Sequence, residues 1–170
     1  MILVLAGILV TVLILTYPVL TVHTADPVEV HVHSLARTML SQHKAAMRAC
    51  NAACPTGEVN PRGSLPLDIQ NSPDQRQYFL HLYDDATGFM VSIPTPAFAP
   101  QTGVQPAELA YEISKLVGQD TKSAGTWDAD AQQVLPLSPM LGNYTQISLS
   151  TPFAGRTIPD GAPIIATFLK

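Results

Sequence analysis

Two cysteines are the residues whose type and spacing best suit covalent chemistry in this chain. Cys50 and Cys54 are its only cysteines, and Asn51-Ala52-Ala53 separates them. A thioredoxin-like redox pair has two intervening residues and follows a strand, whereas this pair ends a stretch of helical composition. One turn of helix brings two Cα atoms within the ~4.4–6.8 Å that a disulfide requires. The spacing therefore favours a structural disulfide, while two free buried thiols and a catalytic redox pair stay open as alternatives.

The histidines are weaker candidates for a site. His43 precedes Cys50 by seven residues, which is about 10 Å along a helix and too far for one metal ion whose bonds are about 2.0–2.3 Å. His31 and His33 share a face only if their stretch is a strand. We expect solvated or interfacial histidines, no metal site, and an outward orientation for His81 in the stretch YFLHLY.

The acidic residues and the single tryptophan have ordinary structural interpretations. Asp84-Asp85 lies in DDATG, where acids are common turn formers. Glu108 and Glu112 are one helical turn apart and suit the solvent side of a helix. Trp127 is either a core anchor or a contact residue, and the sequence does not decide between the two.

Motifs and charge argue against several classes of function. The chain contains none of GxGxxG, GxxxxGK[ST], HExxH or GxSxG, which mark nucleotide-binding, metal-dependent and serine-nucleophile enzymes. Its 9 Lys and Arg against 13 Asp and Glu form no basic stripe of the kind that binds nucleic acid. We predict a protein that is not an enzyme and that has no cofactor, nucleic-acid partner or small-molecule substrate.

An apolar segment opens the chain. Residues 2–22 carry no charge and as a helix would span roughly 31 Å, close to the ~30 Å hydrocarbon core of a bilayer. A cleaved signal peptide normally has a basic start and an apolar run of about 7–15 residues, and no basic residue precedes this run. We predict a transmembrane anchor over residues 1–25, in contact with membrane lipid, with a removed signal peptide as the alternative. Gly7 and Thr11 offer a small-residue contact with other membrane helices.

The orientation of the anchor has two conflicting indications. Arg37, Lys44 and Arg48 follow the apolar segment, and the positive-inside rule then favours a cytoplasmic C-terminal domain. The cysteine pair favours an oxidising compartment outside the cytoplasm. We predict a single-pass protein of a bacterial inner membrane whose residues 26–170 are periplasmic, and the conflict stays open.

Beyond the anchor the pattern predicts a long helix followed by a small sheet. Asp26 suits a helix N-cap, Pro27 the first helical position and Glu29 the first turn, and the stretch up to Cys54 is rich in Ala, Met and Leu. The competing interpretation of residues 28–33 is a short strand. Residues 55–76 are rich in Pro and Gly and predict a loop. The remaining predicted elements are a hairpin of 78–83 with 89–94, a helix near 105–119, and strands in 132–137, 144–150 and 163–169.

Several stretches, in their order along the chain, resemble the PilM family of type IVB (thin, conjugation-associated) pilus systems. They are AAMRACNAACPTGEV, SLPL, YFLHLYDDATGFMVSIP, SAGTW and IPDGAPIIATFL, and the resemblance runs over nearly the whole chain. It implies a small inner-membrane protein of the pilin transport and basal-body apparatus, and it implies no catalytic residues. The implied partners are other inner-membrane pilus assembly proteins, with pilins as a further candidate.

Together these observations predict an α+β protein. Its single transmembrane helix continues into a helical spine, and a small, mostly antiparallel sheet with one further helix follows. The predicted function is that of a non-enzymatic accessory component of type IVB pilus biogenesis. One alternative is a membrane-tethered periplasmic thiol oxidoreductase that uses Cys50 and Cys54, and another is a minor-pilin-like subunit. Pilins carry a glutamate early in their apolar helix and a basic leader, whereas residues 2–22 contain no glutamate.

Overall fold

A computed structural model describes residues 27–50, 54–65, 78–117, 124–136 and 147–169 of the chain. The predicted anchor, with Gly7 and Thr11, lies outside these ranges. No helix within them combines the length and the apolar composition that crossing a membrane requires. The chain divides into the units Met1–His31 and Val32–Lys170. Only the start of one helix is described in the first unit.

The described residues form an α+β fold with one antiparallel sheet. The helices are α1 (Pro27–Ala49), α2 (Phe98–Thr102) and α3 (Pro106–Val117), and a 3-10 turn covers Arg62–Ser64. The strands are β1 (Gly57–Glu58), β2 (Phe79–Asp84), β3 (Phe89–Pro94), β4 (Ala124–Asp128), β5 (Gln133–Pro136) and β6 (Pro163–Phe168). They are ordered β1-β2-β3-β6-β4-β5, and every pair is antiparallel. The last strand in sequence therefore lies in the middle of the sheet.

Helices cover one face of the sheet and an irregular segment covers the other. On the helical face, Leu35 and Met39 of α1 join Leu109 of α3, Phe79 of β2 and Ile165 of β6 in one buried cluster. On the opposite face, a second buried cluster combines alternate strand residues with side chains from the C-terminal segment: Leu82, Val91, Ile164, Leu149, Phe153 and Ile158. Side chains of a strand alternate between its two faces, so each central strand contributes to both clusters.

Most of the predicted elements are confirmed, including the helix over residues 28–33, because α1 begins at Pro27 and the competing strand is not formed. Two predictions are wrong in detail. In the described part of the predicted 144–150 strand, residues 147–150, the pairing is a single bridge between Ser148 and Gln133, and Leu149 packs in the core of the opposite face. The predicted loop 55–76 contains strand β1 and the 3-10 turn. The sheet has a further strand, β4, in the stretch AGTWD, and the short helix α2 adds a second helix after α1.

Candidate functional site

A serine held between two histidines lies at the centre of the helix–sheet interface. His81 of β2 and Ser92 of β3 are direct register partners, so their side chains share the helical face of the sheet. Thr167 of β6 pairs with Met90, two residues before Ser92, and therefore lies on the same face. Helix α1 lies over this face and contributes His43.

Hydrogen bonds link these four side chains and that of Gln42, also on α1, into one chain. The Nδ1 atoms of His43 and His81 lie 2.7 and 2.6 Å from the Ser92 hydroxyl oxygen. His43 Nε2 lies 2.9 Å from the hydroxyl oxygen of Thr167, and His81 Nε2 lies 3.3 Å from Gln42 Oε1. We call Thr167, His43, Ser92, His81 and Gln42 the buried network. Four of its members are at least 97% buried, and Thr167 is partly exposed.

Once the donor of one hydrogen bond in the network is assigned, the donors of the other three follow. Because Gln42 Oε1 accepts, His81 Nε2 carries the hydrogen, and His81 Nδ1 must accept from the Ser92 hydroxyl. The Ser92 oxygen then accepts from the Nδ1–H of His43, whose Nε2 accepts from the hydroxyl of Thr167. A half-turn of the Gln42 amide would reverse every donor at once. Neither direction leaves a ring nitrogen without a partner while both histidines are neutral.

Burial keeps both imidazoles neutral. Desolvation lowers the pKa of His43 to about 3, with smaller contributions from His81 and Lys44. Desolvation also lowers the pKa of His81 to about 4. At neutral pH the network is therefore uncharged, and a proton on either ring would face a low-dielectric interior with no carboxylate among its hydrogen-bond partners.

A serine beside a histidine suggests nucleophilic catalysis, but this serine is enclosed. Ser92 has 0% of its surface exposed, and both of its histidine neighbours are buried as well. A nucleophile must reach the reacting atom of a substrate at about 3–3.5 Å, and a covered hydroxyl cannot do so. The arrangement instead fixes helix α1 against the sheet, since the bonds of His43 to Ser92 and Thr167 and of Gln42 to His81 join the helix to three strands.

One end of the network lines a cavity of about 150 Å³. His81 and Gln42 are its buried polar residues, and Phe79, Val59 and Leu65 are its buried apolar ones. The remaining lining residues are Glu58, Asn60, Pro61 and Arg62, of which all but Pro61 are exposed. The cavity therefore has a polar base, apolar walls and a charged mouth.

The predicted cysteine pair lies elsewhere, at the end of α1. The sulfur atoms of Cys50 and Cys54 are at disulfide-bonding distance, with Cα atoms 4.8 Å apart. Cys50 is 6% exposed and packs in a small apolar cluster with Ala46, Val59 and Met90. Reactive cysteines lie in partially exposed, electropositive surroundings, so the enclosed, apolar position of Cys50 favours a structural role over a redox one.

Two sequence predictions about polar residues are wrong. His81 is 3% exposed, not outward-facing, whereas His43, expected to be solvated or interfacial, is also 3% exposed and lies at the helix–sheet interface. Glu112 does not lie on the solvent side of its helix: its side chain is 8% exposed and contacts His33 at 3.2 Å and Lys115 at 2.5 Å. The bond from Lys115 lowers the Glu112 pKa, burial opposes this effect, and the bond to His33 adds to it.

The sequence does contain a signal for the network. His81 alternates with Phe79 and Tyr83, which are both buried on the helical face. His43 follows Met39 by one helical turn, on the stripe that faces the sheet. A polar residue inside the apolar pattern of two elements predicts a buried, mutually bonded pair, because a buried polar group must be hydrogen-bonded. The structure also decides the role of Trp127, which is a buried core residue.

Comparisons of the chain with protein-family models, with curated proteins and with solved structures find no match.

Proposed function

We propose that this protein is a non-enzymatic accessory component of type IVB pilus biogenesis. Residues 2–22 anchor it in a bacterial inner membrane, and residues 26–170 form its periplasmic domain. The observation that carries the proposal is the ordered set of local similarities to the PilM family over nearly the whole chain. Its partners are other inner-membrane pilus assembly proteins, with pilins as further candidates.

The geometry of the described residues supports a scaffold more than a catalyst. The two contacts of Ser92 with His43 and His81 are sealed inside the helix–sheet interface. The cysteine pair is packed against apolar side chains at the end of α1, and this supports a disulfide that stabilises the domain. Neither group is placed to contact a substrate.

A minor-pilin-like subunit is the second candidate, because a long helix packs on an antiparallel sheet here, as in pilins. The two candidates differ in where the protein resides. A subunit would be recovered in pili sheared from the cell surface, whereas an assembly component would stay with the inner membrane. Fractionation of sheared cells followed by immunoblotting separates these outcomes.

The proposal is tested by deleting the gene in its host and counting surface pili by electron microscopy, together with conjugation in liquid medium. We expect both to fall sharply and to return with the full-length protein. A matched complementation uses the same chain with Ser114→Ala, a change away from the network and the cavity, and we expect it to restore pili equally. Unchanged pili and unchanged conjugation after deletion would refute the proposed function.

A further inference from the structure

The cavity beside the buried network has the size of one aromatic ring. Its volume is about 150 Å³, and an engineered apolar cavity of about 150 Å³ in another protein binds benzene. Its buried apolar walls are Phe79, Val59 and Leu65. Phe79 already packs against Phe98, with ring centroids 5.7 Å apart, so its ring is held in position and offers a fixed surface.

The base of the cavity favours a group that both donates and accepts hydrogen bonds. Gln42 and His81 line it, and their mutual bond, at 3.3 Å, is the longest of the four in the network. The direction of donation through the network can reverse with the Gln42 amide. A hydroxyl group complements either direction because it is both donor and acceptor, whereas a carboxylate only accepts and an ammonium only donates.

The charges around the cavity also favour a neutral ligand. His81 is uncharged at neutral pH because burial lowers its pKa, so the base supplies no charge for an ion. At the mouth, Glu58 and Arg62 carry opposite charges, so the entrance favours neither an anion nor a cation. A charged group brought to the buried base would lose its hydration without gaining a counter-charge.

We propose that the cavity formed by Phe79, Val59, Leu65, Gln42 and His81 is a binding site for a phenol, that is, one neutral aromatic ring bearing a hydroxyl group. The ring lies against Phe79 and the two aliphatic walls. The hydroxyl bonds at the Gln42–His81 end, and Glu58, Asn60 and Arg62 surround the entrance. The phenol is either a free small molecule or the side chain of a tyrosine in a partner protein. The site does not depend on the proposed role in pilus biogenesis.

The test is an NMR titration of the full-length protein in lipid nanodiscs, with p-cresol and toluene as probes and the histidine ring signals as readout. We expect p-cresol to shift the His81 signal saturably. We expect toluene to bind about 3- to 10-fold more weakly, the effect of one net hydrogen bond. An absent or non-saturating His81 shift with p-cresol, or equal affinity for the two probes, would overturn the proposal. This comparison needs no variant to fold.

A matched pair of variants then tests the base of the cavity. Gln42→Met keeps the length of the side chain and removes the amide, and we expect it to abolish the preference for p-cresol over toluene. Thr38→Val, one turn earlier on α1, changes a residue outside the cavity lining, and we expect it to leave both affinities unchanged. A Gln42→Met protein that folds and still prefers p-cresol would contradict the assigned hydrogen bond and the proposal with it.

NMR titrations with N-acetyltyrosine amide and N-acetylphenylalanine amide distinguish the two sources of the phenol, a free small molecule and a tyrosine side chain of a partner protein. Binding of the tyrosine amide at least as tight as that of p-cresol, with weaker binding of the phenylalanine amide, supports a tyrosine of a partner protein. Binding of p-cresol with exclusion of both amides supports a free phenol. Pili counts do not enter this test, so its failure and the failure of the proposed function are separate results.

Discussion

His43 and His81 share a single hydroxyl group. Their Nδ1 atoms lie 2.7 and 2.6 Å from the oxygen of Ser92, although one histidine comes from helix α1 and the other from strand β2. A hydroxyl has one hydrogen, so it donates to one ring and accepts from the other. The shared serine therefore couples the tautomers of the two histidines and joins the helix to the sheet.

Ser92→Ala should destabilise the protein strongly. Without the hydroxyl, one buried ring nitrogen loses an acceptor and the other loses a donor, and unpaired buried polar groups cost about 1–3 kcal/mol each. We expect the free energy of unfolding to fall by at least about 2 kcal/mol in a denaturant titration. Ser114→Ala is the matched control, since Ser114 bonds only to a helical carbonyl at an exposed site. Equal effects of the two changes would show that the network contributes little.

Acid should destabilise the protein through the same histidines. Burial lowers the pKa of His43 to about 3 and that of His81 to about 4, so the unfolded chain binds protons that the folded chain excludes. The free energy of unfolding should be flat above pH ~6.5 and should fall as the pH drops toward 4 and then 3, by about 1.4 kcal/mol per pH unit for each histidine. At pH ~5 the loss is about 4 kcal/mol for the pair.

The pH effect is measured by denaturant titrations between pH 8 and 5, with the ring nitrogen shifts of both histidines followed by NMR. Glu112 does not confound this range. Its lowered pKa stabilises the fold above the ordinary carboxyl range, and this contribution is lost only as the pH falls further, through the folded pKa. Either histidine titrating near 6.5 in the folded protein would contradict the prediction.

Glu112→Gln should cost more stability than Glu108→Gln on the same helix. The Glu112 carboxylate is buried and accepts hydrogen bonds from Lys115 and His33, whereas Glu108 is exposed and contacts the backbone N–H of Gln105. Hydrogen bonds to charged groups contribute about 1.5–3 kcal/mol. We expect a loss in that range for Glu112→Gln and a change within about 0.5 kcal/mol for Glu108→Gln. The loss of stability is compared by measuring the thermal unfolding of Glu112→Gln and Glu108→Gln side by side.

Gly125→Ala should disrupt the edge of the sheet. A Cβ atom at this position would overlap the backbone carbonyl of Leu135 on the neighbouring strand β5, and a backbone atom cannot move without breaking the β4–β5 pairing. We expect a loss of at least about 2 kcal/mol, measured by denaturant titration. Gly63→Ala is the control, because a Cβ there meets nothing within 4 Å. A stable Gly125→Ala protein with native hydrogen-exchange protection in β5 would contradict this description of the edge.

The Cys50–Cys54 pair should stabilise the fold by a small amount. The loop it closes is short, so loop-closure entropy gives about 2 kcal/mol, and Cys50→Ser with Cys54→Ser should lower the free energy of unfolding by about that much.

The oxidation state of the Cys50–Cys54 pair should also show on which side of the membrane the domain lies. In intact cells, a membrane-impermeant maleimide should label the pair only after reduction. Labelling that requires lysis but no reductant would place free thiols in the cytoplasm, the orientation that Arg37, Lys44 and Arg48 favour.

The elements of this protein follow from local patterns in its sequence. Pro27 and the Ala- and Met-rich stretch after it predict α1, and the flanks of DDATG predict the β2–β3 hairpin. Asp84 ends β2, and its carboxylate accepts a hydrogen bond from the hydroxyl of Thr87 in the turn. The spacing of Cys50 and Cys54 predicts a pair within reach of a disulfide. These features depend on residues close together in the chain, and local rules of backbone conformation are sufficient to predict them.

The tertiary structure alone decided which partners the polar residues bond to. Nothing local in the sequence shows that β6 enters the middle of the sheet and brings Thr167 to His43, or that His33 meets Glu112 across 79 positions. The orientation of His81 depends on which face of the hairpin a helix covers, and that choice is made by the packing of α1. A histidine is solvated or buried according to its distant neighbours, because the free energy of burying a polar group depends on partners that only the folded chain assembles.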